Sequence, residues 1–201
     1  MASRFTSRVW TAYQQSLATK PFITNAWTTS GLFAAGDCLA QALGQAQEKP
    51  LDKKPPVQSP ISTDSKLIPL RWDWQRTCRA GLYGTLFSPL GTWWYGVLAR
   101  ITWSSGWRTL TVRVAVDQLM FAPFGVCLYY SVMALLEGHG IHGAMGRVHV
   151  RAWNTLKANW SIWPLFQAVN LSMVPLQNRL LTANLVALCW NAYLSGHNAM
   201  R

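Results

Sequence analysis

Residues 160–195 form an apolar run that contains three tryptophans and one arginine but no acidic residue. A helix needs about 20 predominantly apolar residues to span the hydrocarbon core of a bilayer. The run is therefore long enough to cross a membrane once with a kink, or at most twice. Pro175 interrupts the run and Arg179 is its only charged residue, so these two positions mark the predicted break. The segment predicts a protein embedded in a membrane.

The composition of the whole chain supports the same class. Half of the residues are hydrophobic, only 12% are charged, and tryptophan supplies 12 of the 201 residues. Several tryptophans fall near the ends of apolar segments, among them Trp72, Trp74, Trp103 and Trp107. This placement is typical of the aromatic belts that form at the headgroup layer of a bilayer. We therefore predict an all-α integral membrane protein.

Apolar and polar stretches divide the chain into segments of one membrane domain, residues 1–201. An amphipathic arm is predicted at 1–21, and the five prolines and mixed charges of residues 45–71 predict a loop outside the bilayer. A connector rich in glycine and histidine is predicted at 138–150. The apolar segments lie at 22–43, 79–103, 112–136 and 160–195. They predict a bundle of about four transmembrane helices, the last broken at Pro175.

The chain is strongly basic, with a formal net charge of +11. Its basic residues stand singly on loops between apolar segments and do not line one helix face. Anionic lipid, such as cardiolipin, is therefore the predicted partner, and direct nucleic acid binding is not expected. Arg4, Arg8 and Lys20 precede the first acidic residue, Asp37. This stretch resembles a mitochondrial targeting sequence.

Polar side chains inside the apolar segments are the candidate functional residues. An ionisable group near the bilayer centre costs on the order of 3 kcal/mol, so each one must face a partner or water. Polar stripes on three helices predict either a water-filled passage or interhelical hydrogen bonds, and the sequence leaves both open. For a passage, we expect the aspartates to set charge selectivity, Gln167 and Asn170 to line the constriction, and Arg179 to pair with one aspartate. The candidates are Asp37, Gln41, Asp117, Gln118, Gln167, Asn170, Arg179 and Asn191.

The sequence offers little support for catalysis or for a bound cofactor. Intramembrane aspartyl proteases carry a G-x-G-D motif, but Ala34 stands where its first glycine would be. The histidines of the predicted connector are expected to be solvated, and the cysteines are expected to be small buried apolar groups. Those cysteines, Cys38, Cys78, Cys127 and Cys189, lie singly along the chain. We therefore predict a protein that is not an enzyme and has no metal site or cofactor.

Several motifs with fixed spacings run through the chain. They are G-D-x-x-x-Q from Gly36, D-x-x-R-x-x-R from Asp73, W-x-x-W-P-x-x-Q-x-x-N from Trp160, V-P-x-x-x-R from Val174, and W-N-x-Y-L-S from Trp190. These motifs resemble those of the Mpv-type / 22-kDa peroxisomal membrane protein family. The segment RVAVDQLMFAPFG at residues 113–125 looks most like the corresponding segment of one branch of this family, the fungal stress-inducible proteins of the mitochondrial inner membrane.

This resemblance implies a multi-pass protein of the mitochondrial inner membrane that acts as a channel or transporter for small metabolites or ions. It also implies a role in metabolite homeostasis, stress tolerance and, indirectly, mitochondrial DNA maintenance. The peroxisomal membrane is the alternative location, and a homo-oligomer or an inner-membrane complex is the expected assembly. The alternative function is a non-conducting membrane scaffold that binds anionic lipid and partner complexes.

Overall fold

The computed structural model describes residues 2–47 and 72–198, and describes side chains within 6–43 and 72–190. These residues form helices and no strands. The α-helices are α1 (Ala2–Thr19), α2 (Pro21–Gln47), α3 (Trp74–Arg100), α4 (Gly106–Val116), α5 (Ala122–Leu136), α6 (Gly140–Trp160), α7 (Trp163–Met173) and α8 (Arg179–Asn198). A π-helical turn, Asp117–Phe121, joins α4 to α5, and a 3-10 turn, Leu176–Asn178, precedes α8.

Prolines and a polar cap explain several of the helix ends. Proline is well tolerated in a first turn, whose N–H groups have no acceptor within the helix, and α2 begins at Pro21. The side chain of Asp73 accepts a backbone N–H from the first turn of α3. Val174 and Pro175 have extended backbone ψ angles of 129° and 142° between α7 and the 3-10 turn. The break predicted at Pro175 is therefore confirmed.

The π-helical turn lies in the middle of a long continuous helix formed by α4, the turn and α5. Pro123 has no N–H to donate to the carbonyl one turn earlier, and just before it the N–H of Ala122 reaches back to the carbonyl of Asp117. This hydrogen bond spans five residues and so defines a π-helical turn. Such turns are frequent at functional sites. The turn contains both Asp117 and Gln118.

This continuous helix, Gly106–Leu136, is the one helix of the described residues that is long and apolar enough to be a candidate membrane span. It has 31 residues, and an 18-residue window within it has a mean hydropathy of 1.9. The segments predicted at 22–43, 79–103 and 160–195 also form helices. That four helices cross the membrane stays a prediction. Most of the loop predicted at 45–71 lies outside the described residues.

The most extensive helix contact joins α2 to α3. A Cβ atom added to Gly84 of α3 would lie 2.9 Å from the carbonyl oxygen of Thr29 on α2. Only a residue without a Cβ lets the two backbones approach this closely. Helix α8 packs against α2 as well, while α5 and α6 form a helical hairpin and α7 packs against α4. The helices thus surround a central space.

The prediction of a connector at 138–150 is wrong for most of that range, because α6 begins at Gly140. The turn itself needs only Gly138 and Gly140, which have positive φ angles of 81° and 63°. The histidines that follow are part of α6. Glycine and histidine content suggested a loop, but packing of α6 against α5 stabilises the helix in spite of this content.

Candidate functional site: a cavity between the helices

A cavity of about 690 Å³ lies in the space between the helices. Its wall is formed by α2, α3, the π-helical turn, α5, α6, α7 and α8. Small-molecule sites usually occupy about 300–1,000 Å³, so the cavity is large enough for a metabolite. Two groups of polar side chains lie at its wall, and we call them the Asp37 cluster and the Asp117 cluster.

The Asp37 cluster links α2 to the first turns of α3. Arg76 Nε lies 2.7 Å from one carboxylate oxygen of Asp37, and Gln41 and Thr77 donate to the other oxygen at 2.7 and 2.8 Å. The amide oxygen of Gln41 also accepts the backbone N–H of Asp73 at 2.9 Å. The Arg76 side chain is 52% exposed, whereas that of Asp37 is 8% exposed. The cluster is therefore an ion pair with a half-exposed cation, and neutral donors complete the hydrogen bonding of its carboxylate.

The Asp117 cluster lies at the π-helical turn. Trp94 Nε1 donates to one carboxylate oxygen of Asp117 at 2.8 Å, and the amides of Gln118 and Gln167 donate to the other at 2.8 and 2.9 Å. Within the described residues no Lys, Arg or His forms an ion pair with this carboxylate. Charge-assisted hydrogen bonds from neutral donors therefore stabilise a carboxylate that is only 3% exposed.

Asn170 and Arg179 lie behind the cavity wall. The Asn170 amide donates to the side-chain oxygen of Gln167 at 3.1 Å and to the backbone oxygen of Arg179 at 3.3 Å. Arg179 donates to the carbonyl oxygens of Val174 and Leu171 at 3.0 and 2.9 Å. These are carbonyls at the end of α7 that have no further helical turn to bond them. Arg179 therefore caps α7, and the expected pairing with an aspartate is not formed.

The predicted site residues thus occupy different places. Those that line the cavity are Asp37, Asp117, Gln118 and Gln167. Gln41, Asn170 and Arg179 are buried next to these residues without lining the cavity. The side chain of Asn191 lies outside the described part of the chain. A role of these residues in a passage stays a prediction.

Sequence reasoning missed the contribution of α3. Arg76 pairs with Asp37, Trp94 donates to Asp117, and Tyr95 lies within hydrogen-bonding distance of Gln167 at 3.3–3.4 Å. A signal was present, because the cavity-lining residues of this helix recur every three or four positions. They are Arg76, Ala80, Tyr83, Phe87, Gly91 and Tyr95. Such spacing places residues on one helix face.

Comparisons with known proteins assign the chain to a family. A model of the Mpv17 / PMP22 family matches residues 134–195. Protein SYM1 of Candida glabrata is 41% identical over 197 residues, which cover 96% of this chain and 90% of that protein. Protein SYM1 of Saccharomyces cerevisiae is 40% identical over 193 residues, which cover 93% of this chain and 88% of that protein. No solved structure matches the chain. Since this identity extends over nearly the whole chain, the protein belongs to the Mpv17 / PMP22 family of membrane proteins.

Proposed function

We propose that the cavity is part of a pathway for small metabolites or ions across the mitochondrial inner membrane. The observation that carries this proposal is a single cavity lined by both Asp37 and Asp117 clusters. Similarity to SYM1 proteins supports a membrane location. The inner membrane, in preference to the peroxisomal one, is part of the proposal, as is a role in metabolite homeostasis, stress tolerance and mitochondrial DNA maintenance.

The length of the cavity supports a pathway that crosses most of a bilayer. Arg76 and Tyr95 both line it and are 19 residues apart on α3. At about 1.5 Å per residue this separation is about 28 Å. The hydrocarbon core of a bilayer is about 30 Å thick. A cavity with polar groups near both ends of that distance has the dimensions that a transmembrane passage requires.

The charges at the wall favour cations in this pathway. Arg76 offsets the charge of Asp37, whereas Asp117 has only neutral hydrogen-bond donors around it. Acidic side chains at a pore wall favour cations because they lower the electrostatic energy of a positive ion. We expect Asp117→Asn to lower the cation-to-anion permeability ratio. If the variant conducts with an unchanged cation-to-anion permeability ratio, Asp117 does not determine the charge selectivity.

Current through planar bilayers that contain the purified protein tests the pathway. Gly125 lines the cavity, and a Cβ atom there would meet nothing within 4 Å. Gly125→Phe should therefore project a ring into the cavity without a backbone clash and reduce conductance. Gly31→Phe is the matched control, because Gly31 is equally unobstructed but does not line the cavity. Equal conductance of the two folded variants would contradict the pathway.

A non-conducting scaffold is the second candidate function. It is favoured by the hydrogen bonds that already satisfy the Asp117 carboxylate, since such groups can simply join helices. In that case Asp117→Asn should lower the melting temperature in detergent, and folded wild-type protein should remain electrically silent. Binding of anionic lipid and assembly with copies of itself or with inner-membrane complexes are compatible with both functions.

A further inference from the structure

We propose that Phe87 and Phe121 form an apolar barrier at mid-length of the cavity and that this barrier determines which solutes pass. The inference rests on the proposed function and deepens it. Both rings line the cavity, one from α3 and one from the π-helical turn, and their centroids are 6.2 Å apart. Neither residue belongs to the Asp37 cluster or to the Asp117 cluster.

The position of Phe87 along α3 places the barrier between the two clusters. It lies 11 residues after Arg76 and eight residues before Tyr95. These separations correspond to about 16 Å and about 12 Å along the helix. Phe121 follows Asp117 by four residues, about one helical turn. A solute that moves from one polar cluster to the other must therefore pass the two rings.

Neighbouring aromatic rings hold the barrier in place. Tyr83 packs against Phe87 with centroids 5.8 Å apart, and Tyr129 packs edge-on against Tyr83 at 5.1 Å. On the other side, Phe121 stacks on Trp94 at 4.6 Å with an angle of 8° between the rings. Because Trp94 also donates to Asp117, the orientation of Phe121 is coupled to the charged cluster.

Helix α8 adds mostly apolar side chains to the lining of the cavity. Helix α8 contributes Ala183, Ala187 and Asn184 to the cavity lining. The Asn184 amide donates to the Thr29 hydroxyl of α2 at 2.8 Å. Water needs about two to four polar partners to stay in an enclosed site. Apolar constrictions therefore empty of water and block hydrated ions.

The barrier should discriminate between solutes by the strength of their hydration. A small inorganic ion must lose part of its hydration shell to pass alongside the two phenyl rings, and the rings return no comparable interaction. An organic solute with an apolar or planar face loses less hydration and packs against the rings. The preferred solutes are thus organic molecules or ions with such a face, and inorganic ions pass slowly.

Potassium chloride conductance in planar bilayers tests the barrier, with Phe87→Ala and Phe121→Ala as the variants. Each should raise the potassium conductance by at least about tenfold, the change that about 1.4 kcal/mol produces. Phe22→Ala is the matched control, because Phe22 of α2 is 52% exposed and does not line the cavity. Phe87→Leu keeps an apolar side chain and should keep most of the barrier. Its conductance should stay near that of the wild type.

The outcomes separate this inference from the pathway itself. If wild-type protein conducts and the folded Phe87→Ala and Phe121→Ala variants match Phe22→Ala, the barrier is overturned and the pathway stands. If Phe87→Leu conducts as much as Phe87→Ala, ring shape and not apolar character is responsible, which also overturns the barrier as stated. Silence of all folded proteins overturns the pathway and the barrier together.

Discussion

Substitution of Gly84 by alanine should weaken the contact between α2 and α3 that holds one wall of the cavity. The added Cβ would lie 2.9 Å from the carbonyl oxygen of Thr29 and 3.1 Å from the Cα of Ser30. Both are backbone atoms, so no side-chain rotation relieves the overlap. The two helices would have to separate, and the variant should lose stability although alanine favours helix formation.

The magnitude follows from two opposing effects. Overpacking of a close contact typically costs about 1–3 kcal/mol. Replacing glycine by alanine within a helix contributes about 1 kcal/mol in the opposite direction. Gly96 of the same helix isolates the second effect, because a Cβ there meets nothing within 4 Å. The free energies of unfolding of Gly84→Ala and Gly96→Ala should therefore differ by about 1–3 kcal/mol.

Thermal unfolding in detergent, followed by tryptophan fluorescence, measures this difference. For a chain of this size 1 kcal/mol shifts the melting temperature by about 2–4 °C. Gly84→Ala should melt at or below the wild-type temperature, and Gly96→Ala above it. A melting temperature of Gly84→Ala equal to that of Gly96→Ala would show that α2 and α3 do not approach this closely, and the reasoning would be refuted.

Three further predictions concern the charged side chains. Arg179→Met should cost about 2 kcal/mol of unfolding free energy because carbonyls at the end of α7 lose their donors, and an unchanged melting temperature would contradict this. Asp37→Asn should cost only about 1 kcal/mol, since its ion-pair partner Arg76 is half exposed; a larger loss than that of Arg179→Met would contradict the comparison. The hydrogen bond and charge of Arg147 lower the pKa of Glu137 below its usual value. Wild type should therefore be more stable than Glu137→Gln above the unfolded-state pKa of about 4.3 and lose that advantage as the pH falls further, which melting temperatures at graded pH would detect.

Long apolar runs and proline made most of the helices predictable. The four apolar segments all form helices, and the break at Pro175 follows from a residue that cannot continue a helix. Helix α6 was missed because its sequence carries glycines and exposed histidines that are common in loops. Its stability comes from packing against α5, and a contact between distant residues leaves no local signal.

The candidate site was predictable where its residues share one helix. Asp37 and Gln41 are four residues apart, so their contact follows from helix geometry, and they form a hydrogen bond of 2.7 Å. Arg76 is the partner of Asp37 only because α3 packs against α2. The expectation for Arg179 failed for another physical reason. An arginine near a helix end has backbone carbonyls within reach, and these compete with a distant carboxylate for its donors.

Charged side chains of the described helices have three kinds of partner: backbone carbonyls, an opposite charge, or neutral hydrogen-bond donors. Arg113 donates to the carbonyl oxygens of Ile101 and Ala99. Arg179 likewise donates to carbonyl oxygens at the end of α7, so both arginines form hydrogen bonds to the backbone. Asp37 is offset by a cation, whereas Asp117 is surrounded by neutral donors. Substitution of either arginine should therefore act on helix geometry and stability. Because Asp37 has a cationic partner and Asp117 has neutral donors among the described residues, the two ends of the cavity differ in electrostatic potential. A current through the cavity should therefore differ between the two directions of an applied voltage.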